Sequence, residues 1–443
     1  MRKEASDIVA KLQREGFLAY FAGGYVRDLL MKRESSDIDI ATSAKPDDVK
    51  RIFTKTIDKA QKFGTIIVIQ GSHQFEVTTF RNEAIYLDGR RPSQVSFTNA
   101  REDARRRDFT INGIFYDPIK GNFIDYVGGI DDVKKRVISF IGNATNRINE
   151  DKLRLIRAVR LKIVLNFQYK DETFQAIKRN AKKIQCVSAE RIREEVNKIL
   201  QSKSRHLGLV ELSQSGILKY ILPEVERLKG VPQPYEYHHE GDCFTHIYLA
   251  LKSLRQDAPL EVCWGVLLHD IAKPQTLKKI NGKITFNDHA SQSSDLARKI
   301  LQRFKFSKKF IEDVCYIIRY HMSIGQIEQM KPSKKVDFLL NERFELLLEL
   351  TEADSKGTYP VNLEMVAAMK RFNKMARLQV DITKHLKDEP KLINGNDLKE
   401  IEHIEQKKYG EILEEVYDLQ IEGKLKTKEE AISFIKDKYI NGQ

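Results

Sequence analysis

The hydrophobic period of this chain changes near residue 140, and that change limits what it can fold into. Before it, "FLAYF", "DIDIAT", "TIIVIQ" and "FEVTTF" are short segments rich in β-branched and aromatic residues, a composition that favours strands. Between them, "YVRDLLMK" and "KPDDVKRIF" read as helices. From about residue 145 the apolar residues recur at three- and four-residue intervals. Examples are "NEDKLRLIRAVRLKIVL", "AERIREEVNKIL", "THIYLALKSL", "KKFIEDVCYIIRYHM" and "KEEAISFIKDKY", all with the helical period. The fold class this predicts is multidomain: a mixed α/β unit with a small sheet plus helices, then all-α units. At 443 residues the chain is too long for one hydrophobic core. The turn-rich "KGVPQPYEYHHEGD", Lys229 to Asp242, reads as a boundary between units.

Charge and cysteine usage narrow the setting. Lys plus Arg (76) minus Asp plus Glu (63) gives +13, which favours a polyanionic partner. Cys186, Cys243, Cys263 and Cys315 are scattered, with no CxxC. That argues against a disulfide framework or a cysteine zinc site and fits a reducing cytoplasm. The opening "MRKEASDIVAKLQREGF" lacks the apolar core of a signal peptide. No apolar run reaches membrane-spanning length, so no membrane partner is expected. There is no GxxxxGK[ST] loop, so any nucleotide is held in another way.

The most informative stretch is "FAGGYVRDLLMKRESSDIDI", Phe21 to Ile40. Alternation along a strand puts Asp37 and Asp39 on one face and Ile38 and Ile40 on the other. The isoleucines can anchor the strand in a core, leaving two carboxylates close enough to repel. A hard divalent cation such as Mg²⁺ relieves that repulsion and shares its oxygen ligands with a substrate's phosphates. Gly23 and Gly24 sit between strand and helix, where a backbone without Cβ can approach an anion. The following helix offers N–H groups at its N-terminus, and Arg27, one turn in, can fork onto phosphate oxygens. A DxD alone, being short, favours the plainer reading of a glycine turn followed by an exposed acidic strand. The ordered set of GG, Arg27 and Asp37-x-Asp39 is more specific.

Together with "RRRDFTINGIFYD" and "NEDKLRLIRAVR", this stretch resembles the tRNA nucleotidyltransferase/poly(A) polymerase family, in its bacterial and eukaryotic branch. The resemblance covers most of the chain and is strongest from about residue 20 to 200. It implies a nucleotidyltransferase head at 1–140, a helical neck with a base-recognition helix at 141–228, an HD domain at 229–360 and a helical, tRNA-contacting tail at 361–443. It implies that Asp37 and Asp39 are catalytic and bind Mg²⁺, and that Gly24 and Arg27 hold the incoming triphosphate. Arg107 would contact the nucleotide, while Asp108 and Asn112 would read the ribose hydroxyls. Asp125, Gly128, Gly129 and Asp132 match a further family pattern of structural kind, with Tyr126 where the family more often has proline. The reaction so implied is attack of a primer 3′-hydroxyl on an α-phosphate, with pyrophosphate leaving. Two cations about 3.5–4 Å apart stabilise the attacking and leaving oxygens, and positioning dominates what the protein contributes. Glu76, on "FEVTTF", is either a third carboxylate or an ordinary solvated strand residue; the sequence leaves both open.

Base choice without a template is read from the segment after Asn149. Asp151, Arg154, Arg157 and Arg160 recur every three residues on a helix read as starting at "NED", a row that winds slowly round one side. Asp accepts hydrogen bonds and Arg donates them. Cytosine and adenine both present an amino donor beside a ring-nitrogen acceptor, whereas guanine and uracil present a carbonyl in place of the amino group. An Asp–Arg pair therefore accepts C and A, and a mismatch leaves buried polar groups unpaired. The resemblance assigns this protein-encoded template to Glu150, Asp151 and Arg154 and places Arg157 and Arg160 on phosphates. Asp88-Gly89-Arg90-Arg91-Pro92 reads as a mobile loop; in the family such a loop helps to switch specificity from C to A, which favours complete CCA addition.

Seven of the ten histidines lie between His206 and His321. His246, His269-Asp270 and Asp354 resemble the ligand order of the HD phosphohydrolase superfamily, and His289 and His321 could complete a second metal site. Imidazole plus carboxylate suits Mg, Mn, Ni, Co or Zn, and an accessory metal-dependent phosphohydrolase activity is the implication. The lysine-rich tail, similar to the family's C-terminal part through "NGNDL", suits a tRNA backbone. The expected function is CCA addition to tRNA from CTP and ATP. The alternatives are a CC- or A-adding partial enzyme, then a poly(A) polymerase, then an HD phosphohydrolase with an RNA-binding head. The sequence does not give the oligomeric state.

Overall fold

The computed structural model describes residues 1–35, 37–60, 64–83, 95–235, 239–361, 363–364, 366–371, 390–401 and 403–440. The expected loop at Asp88–Pro92 lies outside the described residues. The chain divides into two compact units, Met1–Glu226 and Arg227–Gln443.

After an opening helix, Arg2–Arg14, the first unit builds a seven-stranded sheet. Its strands are β1 (Ala19–Ala22), β2 (Asp39–Thr42), β3 (Thr56–Ala60), β4 (Thr65–Gln70) and β5 (His73–Thr79). After a short separate pair, β6 (Arg81–Glu83) with β7 (Val95–Phe97), come β8 (Ile114–Asp117) and β9 (Asn122–Asp125). The order is β3-β4-β5-β2-β1-β8-β9. The pairing of β2 with β5 is parallel and the others in this sheet are antiparallel. β2 begins only at Asp39, so Asp37 and Ile38 precede the strand. The expected alternation is kept all the same: Ile38 and Ile40 are buried, Asp37 is exposed and Asp39 half-buried. On one face, Ala22, Ala41, Phe80 and Phe115 form a core with Ala100 and Ala104 of the helix Ala100–Arg106.

The Asp125-to-Asp132 pattern has a visible structural role. Asp125 accepts the backbone N–H groups of Val127 and Ile130 at 2.9 and 2.8 Å, and Asp132 accepts the Thr110 hydroxyl at 2.5 Å. A Cβ on Gly129 would lie 2.1 Å from the Thr110 carbonyl oxygen and 2.7 Å from Ile114 Cγ1. This corner therefore holds the short 3₁₀ turn Thr110–Asn112 from below.

The remainder of the first unit is helical apart from a short parallel pair, Val137–Ile138 with Gln168–Tyr169, with one correction to the sequence reading. No single helix starts at Asn149. The helix Ala144–Glu150 ends, Asp151 is extended at φ −138°, and a new helix runs from Arg154 to Leu165. The reason is local. Asp151 turns its carboxylate to the Leu153 N–H at 3.1 Å, the kind of short-range bond by which Asp interrupts helices.

In the second unit, the helices Cys243–Ser253, Leu260–Leu268, His289–Arg303, Lys308–Tyr320 and Phe344–Gly357 surround buried Trp264, Ile317 and Leu350. A hairpin, Lys278–Ile280 with Lys283–Thr285, interrupts the helical pattern. The turn-rich segment after Lys229 is not merely a connector: Gln233 is buried and Pro232 bridges to Asp242. Near the C-terminus a separate small core gathers Ile393, Leu398, Ile412, Val416 and Ile435. Among the described residues no helix is long and apolar enough to cross a membrane.

Because the Thr110 carbonyl is backbone and cannot swing aside, Gly129→Ala should destabilise the first unit by roughly 3 kcal/mol, the upper end for overpacking. Urea unfolding of the full chain, compared with Gly410→Ala, where a Cβ meets nothing within 4 Å and φ is not positive, checks this.

Candidate functional site

Strand register assembles the first site. β1 ends at Ala22, which pairs with Asp39, the first residue of β2. The chain then turns through Gly23 at φ +73° into the helix Gly24–Leu30. A Cβ on Gly23 would come 3.4 Å from Asp39 Oδ2 and 3.6 Å from Arg107 Nη1. Gly23 is thus the gap between a carboxylate and a guanidinium. Arg107 lies 5.1 Å over the Phe115 ring and 3.1 Å from buried Asp103. The parallel pairing of Ile40 with Val77 sets Glu76 beside Asp39 on the same face of the sheet, about 4.8 Å away strand to strand. The sequence could not show this placement, because it depends on a parallel neighbour 37 positions away in the register. Asp37, Asp39 and Glu76 offer only carboxylate oxygens, a donor set that fits a hard cation such as Mg²⁺.

Beside this edge runs a buried chain of polar groups. Arg27 forks onto Asp28 through Nε and Nη2 at 3.0 Å each and donates from Nη1 to Asn112 Oδ1 at 2.7 Å. Asn112 donates to Asp108 Oδ1 at 3.2 Å, and the other Asp108 oxygen lies 2.7 Å from Arg157 Nη2. Burial pushes the Asp108 carboxyl up, but Arg157 and Arg154 outweigh it and hold it below its ordinary value. Burial depresses Arg27 more than Asp28 restores it. Arg160 pairs with buried Glu195 at 2.5 Å. In this conformation, then, Arg27, Arg157 and Arg160, expected on phosphates, each already hold a side-chain partner.

The base-reading residues are also placed differently from the spacing argument. Glu150 is gripped by Arg147 at 3.0 Å and Arg154 at 2.8 Å. Buried Arg154 also donates to the Arg147 and Arg106 carbonyls, at 2.8 and 3.3 Å. Asp151 receives a two-pronged fork from Arg191, at 3.2 and 2.9 Å. Asp151 and Arg154 are therefore neighbours, each paired elsewhere. Arg147 and Arg191 were not singled out from the sequence. Arg147 is the more telling omission, since it also donates to the Arg106 and Arg107 carbonyls and so ties the Arg106–Arg107 turn to Glu150.

Asp108 is buried and Arg157 is 35% exposed, so removing the arginine strands the carboxylate. Arg157→Met should cost about 2 kcal/mol or more at neutral pH, and Asp108→Asn with Arg157→Met less than the single change. The Asp108 contribution is present above its unfolded value near pH 4 and is lost as pH falls through the lower folded value. Asp108→Asn should flatten that acid limb of the stability curve measured by urea unfolding.

The second site lies in the second unit. His269, His289 and His321 each donate Nδ1–H to a backbone carbonyl, of Val266, Phe286 and Ile318, at 2.7–2.9 Å. A carbonyl only accepts, so each ring turns its Nε2 inward as an acceptor. His246 Nε2 lies 2.9 Å and His269 Nε2 3.4 Å from Asp354 Oδ1. Asp270 lies 3.4 Å from His269 and 3.5 Å from His289. Lys273 Nζ approaches Asp270 at 2.7 Å. Two overlapping sets, His246–His269–Asp354 and His269–Asp270–His321, bring ligand atoms within 4.8 Å of one another. His269 Nε2 and Asp270 Oδ1 are buried and make no hydrogen bond among the described residues, a cost of about 1–3 kcal/mol each that a cation would remove. The donor set therefore fits a divalent metal. Burial alone would lower His246, but Asp354 and Glu240 raise it to about 9, whereas burial and His269 take His321 down to about 4. The neighbouring cleft, about 400 Å³, is lined by Asp270, Lys273, His289, His321 and Asp354 among others. Glu240, 3.3 Å from His246 Nδ1, and Lys273, 2.7 Å from Asp270, are neighbours of this set that sequence reading passed over.

Comparison with known proteins places family models over the regions that contain both sites. Residues 19–139 match the poly A polymerase head domain, 166–229 the probable RNA and SrmB-binding site of polymerase A, and 244–356 the HD domain. The CCA-adding enzyme of Streptococcus gordonii is 32% identical over 441 residues, 98% of this chain and 97% of that one. The match to the CCA-adding enzyme of Streptococcus sanguinis is 38% identical over 257 residues, and it spans 56% of this chain and 64% of that relative's length. The crystal structure of the Bacillus stearothermophilus CCA-adding enzyme in complex with CTP superimposes with a TM-score of 0.73 at 27% identity, covering 99% of this chain and 98% of that one. The fold is also that of the Thermotoga maritima CCA-adding enzyme complexed with tRNA, at a TM-score of 0.59 and 19% identity, covering 98% and 94%. The class these features define is a nucleotidyltransferase with a mixed α/β head, helical regions and an HD domain. Within it, the chain belongs to the CCA-adding enzyme family.

Proposed function

We propose that this chain rebuilds the CCA end of tRNA, adding CMP and then AMP from CTP and ATP without a nucleic-acid template. The observation that carries the reading is the Ala22–Asp39 register, which puts Asp39 against Gly23 and Arg107 with Glu76 alongside. Both domain families depend on divalent metals. Asp37 and Asp39 would hold Mg²⁺ in the head, with Glu76 as the adjacent carboxylate. Bound there, the cation supplies charge stabilisation for the attacking and leaving oxygens.

The residues do the positioning. Gly23 and Gly24 let the triphosphate approach the backbone. Arg107 and Arg27 face its negative charge, and Arg27 has donor hydrogens left beyond its three bonds to Asp28 and Asn112. Asp108 and Asn112 orient the ribose. The tRNA 3′-hydroxyl attacks the α-phosphorus, the new O–P bond forms as the bridging bond to pyrophosphate breaks, and the hydroxyl proton leaves to solvent or a carboxylate. Arg154 donates to the ring nitrogen of cytosine or adenine, and Glu150 or Asp151 accepts from the amino group. Asp151 must exchange Arg191 for the base to do so. Arg157 and Arg160 keep the surrounding charge in place.

Three tRNA transcripts, ending before CCA, after C and after CC, given each nucleotide singly and together with Mg²⁺, test the reading. Addition that completes CCA and stops supports it. Stopping at CC, acting only on the CC-ended transcript, or a long A tail would overturn it. Asp39→Ala should lower incorporation on the order of a thousandfold or more, several kcal/mol of barrier, with the fold intact by circular dichroism.

For the second site, the reading is a metal-dependent phosphohydrolase, with His246, His269, Asp270 and Asp354 holding a divalent cation among Mg, Mn, Ni, Co and Zn. Metal analysis of the purified chain should find this ion bound. His269→Ala and Asp354→Ala should each lower its affinity by tenfold or more while nucleotide addition by the head persists.

A further inference from the structure

Arg147 holds a carboxylate and the end of a second helix with one guanidinium. It lies one turn before Glu150 on the helix Ala144–Glu150, a spacing that puts both side chains on one face. From there Nη1 bonds Glu150 at 3.0 Å, while Nη2 donates to the Arg106 carbonyl and, at 3.1 Å, to the Arg107 carbonyl. Those two oxygens stand at the end of the helix Ala100–Arg106. The last carbonyls of a helix have no partner within it, and the helix dipole favours a cation there. The rigid fork of an arginine can serve both acceptors at once; the point charge of a lysine cannot.

Arg154 uses the same acceptors. It donates to Glu150 at 2.8 Å and to the Arg106 carbonyl at 3.3 Å, and also to the Arg147 carbonyl at 2.8 Å. Arg154 is thus framed by three groups that Arg147 either carries or holds. A guanidinium has five donor hydrogens, so these bonds leave some for a base. Where they point is set by where Glu150 and the Arg106 carbonyl stand. Arg147 itself faces elsewhere: with Glu150 it lines a hollow of about 780 Å³ that neither Asp151 nor Arg154 lines. It therefore acts on a base through Arg154 and not by touching it. The peptide it holds at Arg107 leads directly into Asp108, so the ribose side of the site hangs from the same residue.

Resting on the reading that Arg154 meets the base, we propose that Arg147 is a positioning residue for base selectivity. It fixes Glu150 against the Arg106–Arg107 turn and so leaves Arg154 one direction in which to donate. Cytosine and adenine present a ring-nitrogen acceptor to such a donor. Uracil and guanine present an N–H there, which a fixed donor rejects and a donor free to swing aside tolerates. Without Arg147, Glu150 and the Arg106 carbonyl keep Arg154 as a donor, but neither is anchored, and the guanidinium moves with them. Selectivity then falls while the acidic edge at Asp39 is untouched.

The test measures kcat/KM of the full chain for adding the first C to a tRNA transcript that ends before CCA, with CTP and with UTP. In Arg147→Met the CTP-to-UTP ratio should fall about tenfold or more, the scale of one misplaced charged hydrogen bond. The fall should come chiefly from a higher KM for CTP, with kcat at saturating CTP nearly unchanged. Arg147→Lys should recover little of the ratio, because an ammonium cannot hold the carboxylate and both carbonyls. Lys162→Met breaks a pair with buried Glu211 in the same unit and serves as the stability control. It should lower stability to urea and keep the ratio; a ratio that falls here too would trace the effect to stability and overturn the proposal. Arg154→Met reports on the underlying reading. If it lowers the ratio while Arg147→Met does not, base reading by Arg154 stands and the role of Arg147 is overturned. A uniform fall in kcat with the ratio kept, or full recovery in Arg147→Lys, overturns that role as well. If Arg154→Met leaves the ratio intact, the reading of Arg154 fails and the proposal falls with it.

Discussion

One cross-strand pair, Ala22 opposite Asp39, sets the geometry on which the first site depends. A slip of one residue would turn Asp39 into the apolar layer and bring an isoleucine to the cleft. Ile38 and Ile40, both buried, prevent that slip by resisting transfer to water. The acidic edge is therefore held by the hydrophobic effect acting on residues that touch no substrate. Gly23 completes the arrangement, because its positive φ turns the chain where a larger residue would be strained.

Around that edge the molecule keeps charge buried only where it is compensated. Asp103, Asp108, Arg154 and Glu195 are all buried, and each has a partner of opposite sign or a carbonyl within hydrogen-bond reach. Such pairs are weak contributors to stability but strong determinants of position, since any displacement leaves a charge uncompensated in a poorly hydrated place. The same logic runs through the second unit, where backbone carbonyls fix three imidazole rings and leave their inward nitrogens for a ligand.

Much of this was legible in the sequence, for identifiable reasons. "TIIVIQ" forms a strand over the same six residues, and the Gly-Gly turn, Arg27 and the two aspartates fall in consecutive elements. Those are local patterns. Partners set by tertiary structure were not legible. Glu76 comes beside Asp39 through a parallel pairing, Arg191 reaches Asp151 from 40 positions away, and Glu240 supports His246 from a segment whose turn residues suggested only a boundary. The periodic row from Asp151 to Arg160 misled, because a three-residue spacing resembles a helix even where an aspartate breaks one.

That break has a consequence for how a small site can serve two bases. A carboxylate fixed on a helix can be re-aimed only by rotating the whole rod and disturbing everything wedged against it. Asp151 stands instead at a joint between two rods, its carboxylate held by the Leu153 N–H and by a two-pronged clasp from Arg191. Opening the clasp frees the joint without loosening either rod. On the function proposed above, a rigid frame for catalysis and a steerable carboxylate for base choice would stand within a few residues of each other.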